Sequence, residues 1–205
     1  MYSKKPNFII GFHSCDETLK NDLINCKTYL LPKDTSYHWL GYGVYFWENN
    51  FQRAVEYAEE IRMKPHPSHQ KIVNPSVVGA IIHLGNCLDL LDSKSIELLR
   101  IGYQSLKGIC EKENRPLNEN TLDDEGGFPK KRELDCAVIN TIHEINRKTG
   151  QKPFDSVRGV FFEGGLVYPG ASFYNKTHIQ ICIKNPNCIK GFFNPLKKHP
   201  NFDIP

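Results

Sequence analysis

The stretch VRGVFFEGGLVYPGASFYNKTHIQICIKNPNCIKGFF, residues 157–193, contains three apolar runs of strand length and no helical pattern between them. The runs cover 157–162, 178–183 and 189–193. Parallel neighbouring strands need a long crossover, usually a helix, whereas antiparallel strands are joined directly. Residues 157–193 therefore predict a mixed or antiparallel sheet.

Before residue 157, predicted strands alternate with helices whose apolar residues recur every three or four positions. In chain order these are a strand at 8–13, a helix capped by Asp16, a strand at 43–47, a helix capped by Asn49 or Asn50, a strand at 77–84, a helix from Ser93 and a helix over 134–150. The expected fold class is α+β, with a mixed or antiparallel sheet core and flanking helices. No Gly-x-Gly-x-x-Gly turn follows a strand, which argues against a Rossmann domain.

The composition is that of one soluble globular domain over residues 1–205, with 40% hydrophobic and 24% charged residues. A mobile excursion is expected at 111–132, where polar, charged, Gly and Pro residues concentrate. The seven cysteines are an odd number without a Cys-x-x-Cys pair, so reduced thiols are favoured over disulfides or zinc. His66 and His69 have no carboxylate or cysteine nearby in sequence, and no metal site is expected.

The sequence also predicts a cytoplasmic protein. No apolar run reaches the roughly 18 residues of a membrane span, and the N-terminus lacks the apolar stretch of a signal peptide. The net charge of +3 permits a nucleic-acid partner but does not demand one.

Three segments combine glycines with polar or aromatic residues at predicted strand ends. In Gly11-Phe12-His13-Ser14, glycine lets a ligand approach the backbone and histidine can bond a ribose hydroxyl. Taken alone, a histidine satisfied by a backbone carbonyl is the commoner arrangement. In the second segment, Tyr45 follows Gly41-Tyr42-Gly43 and is suited either to stack on a planar cationic ring or to fill the core.

The third segment is the loop 164–177 and the strand that follows it. His178 and Gln180 are two residues apart and therefore point to the same face of that strand. They form either part of a ligand site or a polar edge that faces water. Their place in an otherwise apolar strand favours the site.

Taken together, these residues resemble a known family. The order of three features is similar to the His-Tyr-Glu pattern of diphtheria-toxin-like transferases and poly(ADP-ribose) polymerases. These features are His13, Tyr45 after a Gly-x-Gly, and a polar residue that opens a late strand. Val44-Tyr45-Phe46 with the later Tyr57 resembles their Gly-Ile-Tyr-Phe strand and following helix, and residues 84–90 resemble their Leu-Gly-Asn-x-x-Glu-Leu segment. The matches span residues 8–193 in the expected order.

The resemblance implies an ADP-ribosyltransferase-like split sheet and NAD as co-substrate. His13 is then expected to hold a ribose hydroxyl, while the backbone beside it, at Gly11, Phe12 or Ser14, grips the nicotinamide amide. Tyr45 is expected to stack on the nicotinamide.

Two further contacts follow from the same resemblance. Tyr57 is expected to close the other side of the nicotinamide, and Arg53 to meet the pyrophosphate. A solvated helix residue is the commoner role for such an arginine.

The sequence departs from the family at the catalytic glutamate. That position holds His178 or Gln180, depending on where a gap is placed, and neither is a carboxylate. Because cleavage of NAD builds positive charge on the ribose, a nearby carboxylate stabilises the transition state. Glu163 is a third candidate for that role. Without the glutamate, family members transfer single units rather than chains.

The sequence thus predicts a mono-ADP-ribosyltransferase that modifies a protein or a nucleic acid. It is expected to act as a toxin or antiviral effector, held in check by a partner protein. RNA binding would use late-strand lysines interleaved with aromatics, although a solvated lysine face is the commoner arrangement. These lysines are Lys176, Lys184, Lys190, Lys197 and Lys198, and the aromatics are Phe173, Tyr174, Phe192 and Phe193. The alternatives are an inactive NAD or ADP-ribose-binding module and, ranked below it, an RNA 2′-phosphotransferase.

Overall fold

The computed structural model describes residues 8–65, 71–121 and 131–203. His66 and His69 lie outside the described residues. The elements are β1 (Ile9–Asp16), α1 (Glu17–Ile24), β2 (Val44–Glu48), α2 (Phe51–Met63), β3 (Pro75–Ile82), β4 (Cys87–Asp89), α3 (Ser93–Lys112), β5 (Asn120–Thr121), β6 (Lys131–Arg132), α4 (Glu133–Lys148), β7 (Ser156–Phe161), β8 (His178–Ile183), a 3₁₀ turn (Pro186–Cys188) and β9 (Ile189–Phe193).

Seven strands form one sheet in the order β4-β7-β8-β2-β1-β3-β9. Every neighbouring pair is antiparallel except β4 and β7, which run parallel. The predicted α+β class with a mixed, mostly antiparallel sheet is therefore confirmed. The three late strands 156–193 do not all lie side by side, because β9 joins the sheet at β3.

Side-chain caps fix the starts of three helices at positions that the sequence marks. Asp16 accepts a hydrogen bond from the backbone of Thr18 at the start of α1, and Asn50 accepts one from Arg53 at the start of α2. Asp92 caps α3 in the same way. Such oxygens satisfy amides that the first turn of a helix leaves unpaired. The cap of α2, predicted at Asn49 or Asn50, is Asn50.

The two faces of the sheet have separate cores. The front face, defined by Trp47, is covered by α2, and this tryptophan packs against Ala54 of α2 and Val77 of β3. Beyond α2 the same face is covered by α3 and α4, through Leu106 and Val138.

The back face, defined by Phe46, packs against Ala80, Ile82 and Ile181. Next to them, Leu23 of α1 packs against Cys15 and Val78. Neighbouring residues of one strand point to opposite faces, so a side chain is assigned to the front or the back by its register with Trp47.

Among the described residues, four short elements were not predicted, namely the strands β4, β5 and β6 and the 3₁₀ turn. The three-residue strand β4 is too short to show a periodic pattern, and it is held by its parallel pairing to β7. The two ends of the segment 111–132, predicted to be a mobile excursion, form regular structure. There β5 pairs with β6, and the Asn120 side chain accepts a hydrogen bond from the backbone of Leu134 at 3.0 Å. Residues 122–130 lie outside the described part of the chain.

All seven cysteines are free, and five of them are buried, as expected of reduced thiols. Within the described ranges, no helix has both the length and the apolar composition needed to cross a membrane.

Candidate functional site

The side chains of His13 and Tyr45 leave the sheet on opposite faces. Phe12 pairs with Trp47 and so lies on the front, which turns its neighbour His13 to the back. There the His13 ring lies 5.6 Å from that of Phe46. Tyr45, two residues before Trp47, points to the front. The expectation that the two rings converge in one cleft is wrong, because the register of β1 against β2 puts them on opposite sides.

His13 contacts the backbone of Tyr45 and not its ring. Nδ1 of His13 lies 2.8 Å from the carbonyl oxygen of Tyr45, and it donates this bond because a carbonyl only accepts. Burial lowers the pKa of His13, although this hydrogen bond acts in the opposite direction. His13 is therefore neutral and ties β1 to β2 where their ladder ends.

Gly11 serves packing and not the approach of a ligand. A Cβ at this position would lie 2.6 Å from Cδ1 of Ile82 and 2.9 Å from Cβ of Phe46. The side chain of Ser14, on the front face, donates to the carbonyl of Ala54 in α2. The described contacts of the Gly11–Ser14 segment thus hold the β1 backbone between its two cores.

Tyr45 is a core residue whose hydroxyl shapes the preceding loop. The hydroxyl donates to the carbonyl of Gly41 at 2.8 Å and accepts from the amide of Leu40 at 3.0 Å. Its ring packs against the cluster that contains Leu40 and Val157. Burial raises the pKa of Tyr45 well above its usual value. The hydroxyl is thus engaged by protein, and the ring also lies 4.8 Å from that of His38.

Five of the other predicted residues do gather on the front face, where α2 meets β8. They are Arg53, Tyr57, Glu163, His178 and Gln180. Arg53 is only 3% exposed and donates to both carboxylate oxygens of Glu163, each at 2.9 Å. Its guanidinium lies 5.7 Å from the centre of the Tyr57 ring.

The buried Arg53 is held by carboxylates, which does not fit its expected contact with a pyrophosphate. Besides Glu163, it donates to Glu60 at 3.4 Å, and Glu60 also accepts from Lys176 at 2.6 Å. Burial opposes ionisation of Glu60, but hydrogen bonds from Lys176 and Arg53 outweigh it and hold its pKa below the usual value. The network fixes the position of Glu163 at the end of its strand.

His178 is a neutral side chain inside this cluster. Its Nδ1 lies 2.6 Å from the carbonyl of Lys176, and its side chain is 0% exposed. Burial lowers the pKa of His178, against the opposing effects of that hydrogen bond and of Glu163. The ring lies 6.1 Å from that of Trp47 and 5.5 Å from that of Phe161. The Nδ1–H bond to the carbonyl leaves Nε2 as the acceptor atom.

Gln180 lies two residues further along β8 and is covered by a loop. Its side-chain oxygen accepts from Nε1 of Trp39 at 2.6 Å, and the Trp39 ring lies 5.5 Å from that of Phe161. The guanidinium of Arg132 sits above both rings, 5.1 Å and 4.7 Å from their centres. We call residues 33–43 the cover segment. It is anchored by two backbone hydrogen bonds between Lys33 and Gly43.

Sequence reasoning missed Trp39, Trp47 and Arg132. Trp47 follows Tyr45 by two residues, and this period-two spacing is a signal that both belong to one face. Trp39 and Arg132 carry no comparable signal, since each reaches the site from a loop or a strand end far away in sequence. Beside Trp39 and Arg132, a cavity of about 380 Å³ opens between α3 and α4.

The late-strand lysines do not form one basic surface. Lys184 is buried and donates to the carbonyl of Tyr42 at 2.7 Å. Lys176 is engaged by Glu60, and Lys190 lies on β9 at the far edge of the sheet. The predicted combination of lysines and aromatics on one nucleic-acid-binding face is wrong, because β8 and β9 are separated by three strands.

The loop 164–177 is a small hairpin with exposed apolar side chains. Leu166 and Tyr174 form an isolated antiparallel bridge, and the amide of Val167 bonds the carbonyl of Phe173 at 3.0 Å. Tyr168 and Phe173 are 55% and 68% exposed. The hairpin thus presents aromatic surface next to Glu163.

The described part of the chain contains no group of three or more His, Cys, Asp or Glu side chains that could hold a metal ion.

Comparison with known proteins gives one similar sequence. The chain is 25% identical over 198 residues to uncharacterized protein MJ0359 of Methanocaldococcus jannaschii, covering 87% of this chain and 83% of that protein. No family model matches the chain. No solved structure matches it.

Proposed function

We propose that the front-face cluster around Arg53, Glu163 and His178 opens as a cleft, here called the front-face cleft, that binds NAD and transfers its ADP-ribose, as a single unit, to a macromolecular acceptor. The proposal rests on the ordered resemblance to ADP-ribosyltransferases and on the α+β sheet that such a split-sheet fold requires. The observation that carries it is the Glu163 carboxylate, fixed by the buried Arg53 beside Tyr57 and His178. An ADP-ribosyltransferase needs a fixed negative charge beside the ribose of NAD.

The reaction moves the positive charge of the nicotinamide ring onto the ribose. The bond between ribose C1 and the nicotinamide nitrogen breaks, and nicotinamide leaves with the electron pair. An acceptor nucleophile then bonds to C1 and loses its proton. Glu163 stabilises the positive charge that develops on the ribose ring, because a charge held in place in a partly buried site costs no reorganisation. Gln180 and His178 supply neutral acceptors for ribose hydroxyls.

The roles of the first two strands differ from those that the family pattern implies. His13 acts through the backbone of Tyr45, and Tyr45 acts through the loop at Leu40 and Gly41. Neither contacts NAD: His13 supports the sheet, and Tyr45 supports the loop that covers the cleft. The nicotinamide ring instead packs beside Tyr57 and Trp47, whose rings lie 5.0 Å apart on the front face.

The cover segment controls entry to this cleft. Trp39 lies over Phe161 and bonds Gln180, so NAD reaches the β8 side chains only when the cover segment swings away. Inhibition by a partner protein, as for a toxin or antiviral effector, would then consist of holding this segment shut.

An NAD- or ADP-ribose-binding module without transfer is the second candidate. One observation favours it: the two Arg53–Glu163 hydrogen bonds neutralise the carboxylate that catalysis needs.

Incubation with ³²P-labelled NAD and, in turn, protein, DNA and RNA acceptors separates the two candidates. The proposal predicts nicotinamide release and label on an acceptor, both strongly reduced by Glu163→Gln and unchanged by Glu59→Gln. Glu59 is a matched exposed carboxylate paired with Arg62. Binding of NAD without nicotinamide release, for any acceptor, would establish the binding module instead.

A further inference from the structure

Two polar atoms of neighbouring rings are buried in the front-face cluster without a partner. They are Nε1 of Trp47 and Nε2 of His178. Neither has a hydrogen-bond partner among the residues that the structure describes. Trp47 is 6% exposed and the His178 side chain is 0% exposed. Since buried polar atoms are almost always paired, each such exception needs an explanation.

The two atoms are complementary in hydrogen-bonding type. Trp47 Nε1 carries a hydrogen and can only donate. His178 Nδ1 donates to the carbonyl of Lys176, so in the neutral ring Nε2 carries a lone pair and accepts. The ring centres are 6.1 Å apart, and both side chains lie on the front face. A small group that reached both atoms would meet a donor at Trp47 and an acceptor at His178.

We propose that Trp47 and His178 together bind one hydroxyl group of the ligand. The hydroxyl oxygen accepts from Trp47 Nε1–H, and the hydroxyl hydrogen is donated to His178 Nε2. This inference rests on the proposed function, on which the group is a hydroxyl of the NAD ribose next to Glu163. It assigns ribose recognition to a pair of neutral side chains in a chain that lacks the family carboxylate at the start of β8.

The pairing excludes the charged groups of the same ligand. A phosphate or carboxylate oxygen has no hydrogen at neutral pH to give to His178 Nε2. An ammonium group has no lone pair for Trp47. The pyrophosphate therefore lies elsewhere.

His143 provides a matched control within the same protein. Its Nε2 is also buried without a partner among the described residues, but it lies on α4 and its ring contacts Phe154 at 5.8 Å. A substitution there removes an equivalent orphan atom without touching the front-face cluster.

The test measures ADP-ribose and nicotinamide affinity by calorimetry for the whole chain, together with its melting temperature. Trp47→Phe keeps the ring and removes the donor, and His178→Phe removes the acceptor. We expect each to weaken ADP-ribose about tenfold or more, which is the scale for a lost hydrogen bond that leaves its partner unpaired. Nicotinamide has no hydroxyl, and His178→Phe leaves the Trp47 ring in place, so this variant should bind nicotinamide like wild type. The melting temperature should be unchanged or raised by Trp47→Phe.

A second arm uses 2″-deoxy- and 3″-deoxy-ADP-ribose as probes. Wild type should bind one of these two probes as weakly as Trp47→Phe binds ADP-ribose. Trp47→Phe itself should bind that probe and ADP-ribose with equal affinity, because the hydrogen bond is already lost. If wild type binds ADP-ribose and both variants bind it equally well, as His143→Phe should, the hydroxyl assignment is wrong while the proposed function stands. If wild type binds neither NAD nor ADP-ribose, the proposed function fails and this inference fails with it.

Discussion

The guanidinium of Arg53 donates to both carboxylate oxygens of Glu163 at 2.9 Å, across 110 residues of sequence. Arg53 lies in the first turn of α2, and Glu163 follows β7. The pair is asymmetric, because Arg53 is 3% exposed whereas the Glu163 side chain is 31% exposed and keeps some contact with water when its partner is removed. The pair therefore links the position of α2 to the end of β7, where the candidate chemistry lies.

Replacing Arg53 should disturb both stability and the site. Arg53→Met removes the positive charge and leaves Glu163 beside the buried cluster. We expect the free energy of unfolding to fall by about 1–3 kcal/mol, because the carboxylates left behind are partly exposed. Urea unfolding measures this, with Arg62→Met, an exposed arginine paired with Glu59, as the control expected within about 0.5 kcal/mol of wild type. Equal stability of the two variants would show that the Arg53 network is not holding α2.

Replacing His13 should cost stability and spare NAD binding. His13→Ala leaves the carbonyl of Tyr45 without its donor, and we expect unfolding to become easier by about 1–3 kcal/mol. Calorimetry at a temperature where the variant is folded should give an NAD affinity within a few-fold of wild type. A large loss of NAD affinity with an unchanged melting temperature would instead mean that the imidazole contacts the dinucleotide.

Replacing Tyr45 by phenylalanine should loosen the cover segment. The hydroxyl bonds both Leu40 and Gly41, and its loss should cost about 1 kcal/mol. Backbone amides of residues 38–42 should exchange faster with deuterium, while those of α3 should not. If the amides of the cover segment exchanged with deuterium at an unchanged rate, Tyr45 would have no role in closing the cleft.

Acid should loosen the junction between α1 and β3 through Asp16. Hydrogen bonds from the backbone of Asn74, Val73 and Thr18 lower the pKa of Asp16 from 3.8 to about 2. Because the folded-state pKa is the lower one, its stabilisation is present above pH 3.8 and is lost as the pH falls toward 2. Asp16→Asn should unfold with a weaker dependence on pH in this window.

The matching control is Asp92→Asn, which removes the charge from the cap of α3, a carboxylate that accepts from the backbone of Lys94 within its own helix. If Asp16→Asn and wild type lose stability in parallel between pH 4 and pH 2, the backbone bonds to Asp16 do not contribute in the way described.

Local structure could be predicted from the sequence, whereas the contacts between distant segments could not. The sequence identifies Asp16, and either Asn49 or Asn50, as helix caps because a capping oxygen acts within one turn of its helix. The face on which His13 lies depends on its register with β2, and the chain between the two strands does not determine that register. A shift of one residue would have put His13 and Tyr45 on the same face.

The members of the front-face cluster could be named from sequence, but their contacts could not. His178 and Gln180 stood out as polar residues in an apolar strand, and Glu163 as a carboxylate beside two glycines. That Arg53 meets Glu163 rather than solvent, and that Trp39 covers Gln180, depends on the packing of α2 and of the cover segment.

A crystal structure of the chain soaked with NAD tests the central claim most directly. The account predicts the dinucleotide on the front face, with the cover segment displaced, the nicotinamide ribose against Glu163 and His178, and no contact to the His13 ring. A dinucleotide bound on the back face at His13, or in the cavity between α3 and α4 with the cover segment still closed, would contradict it.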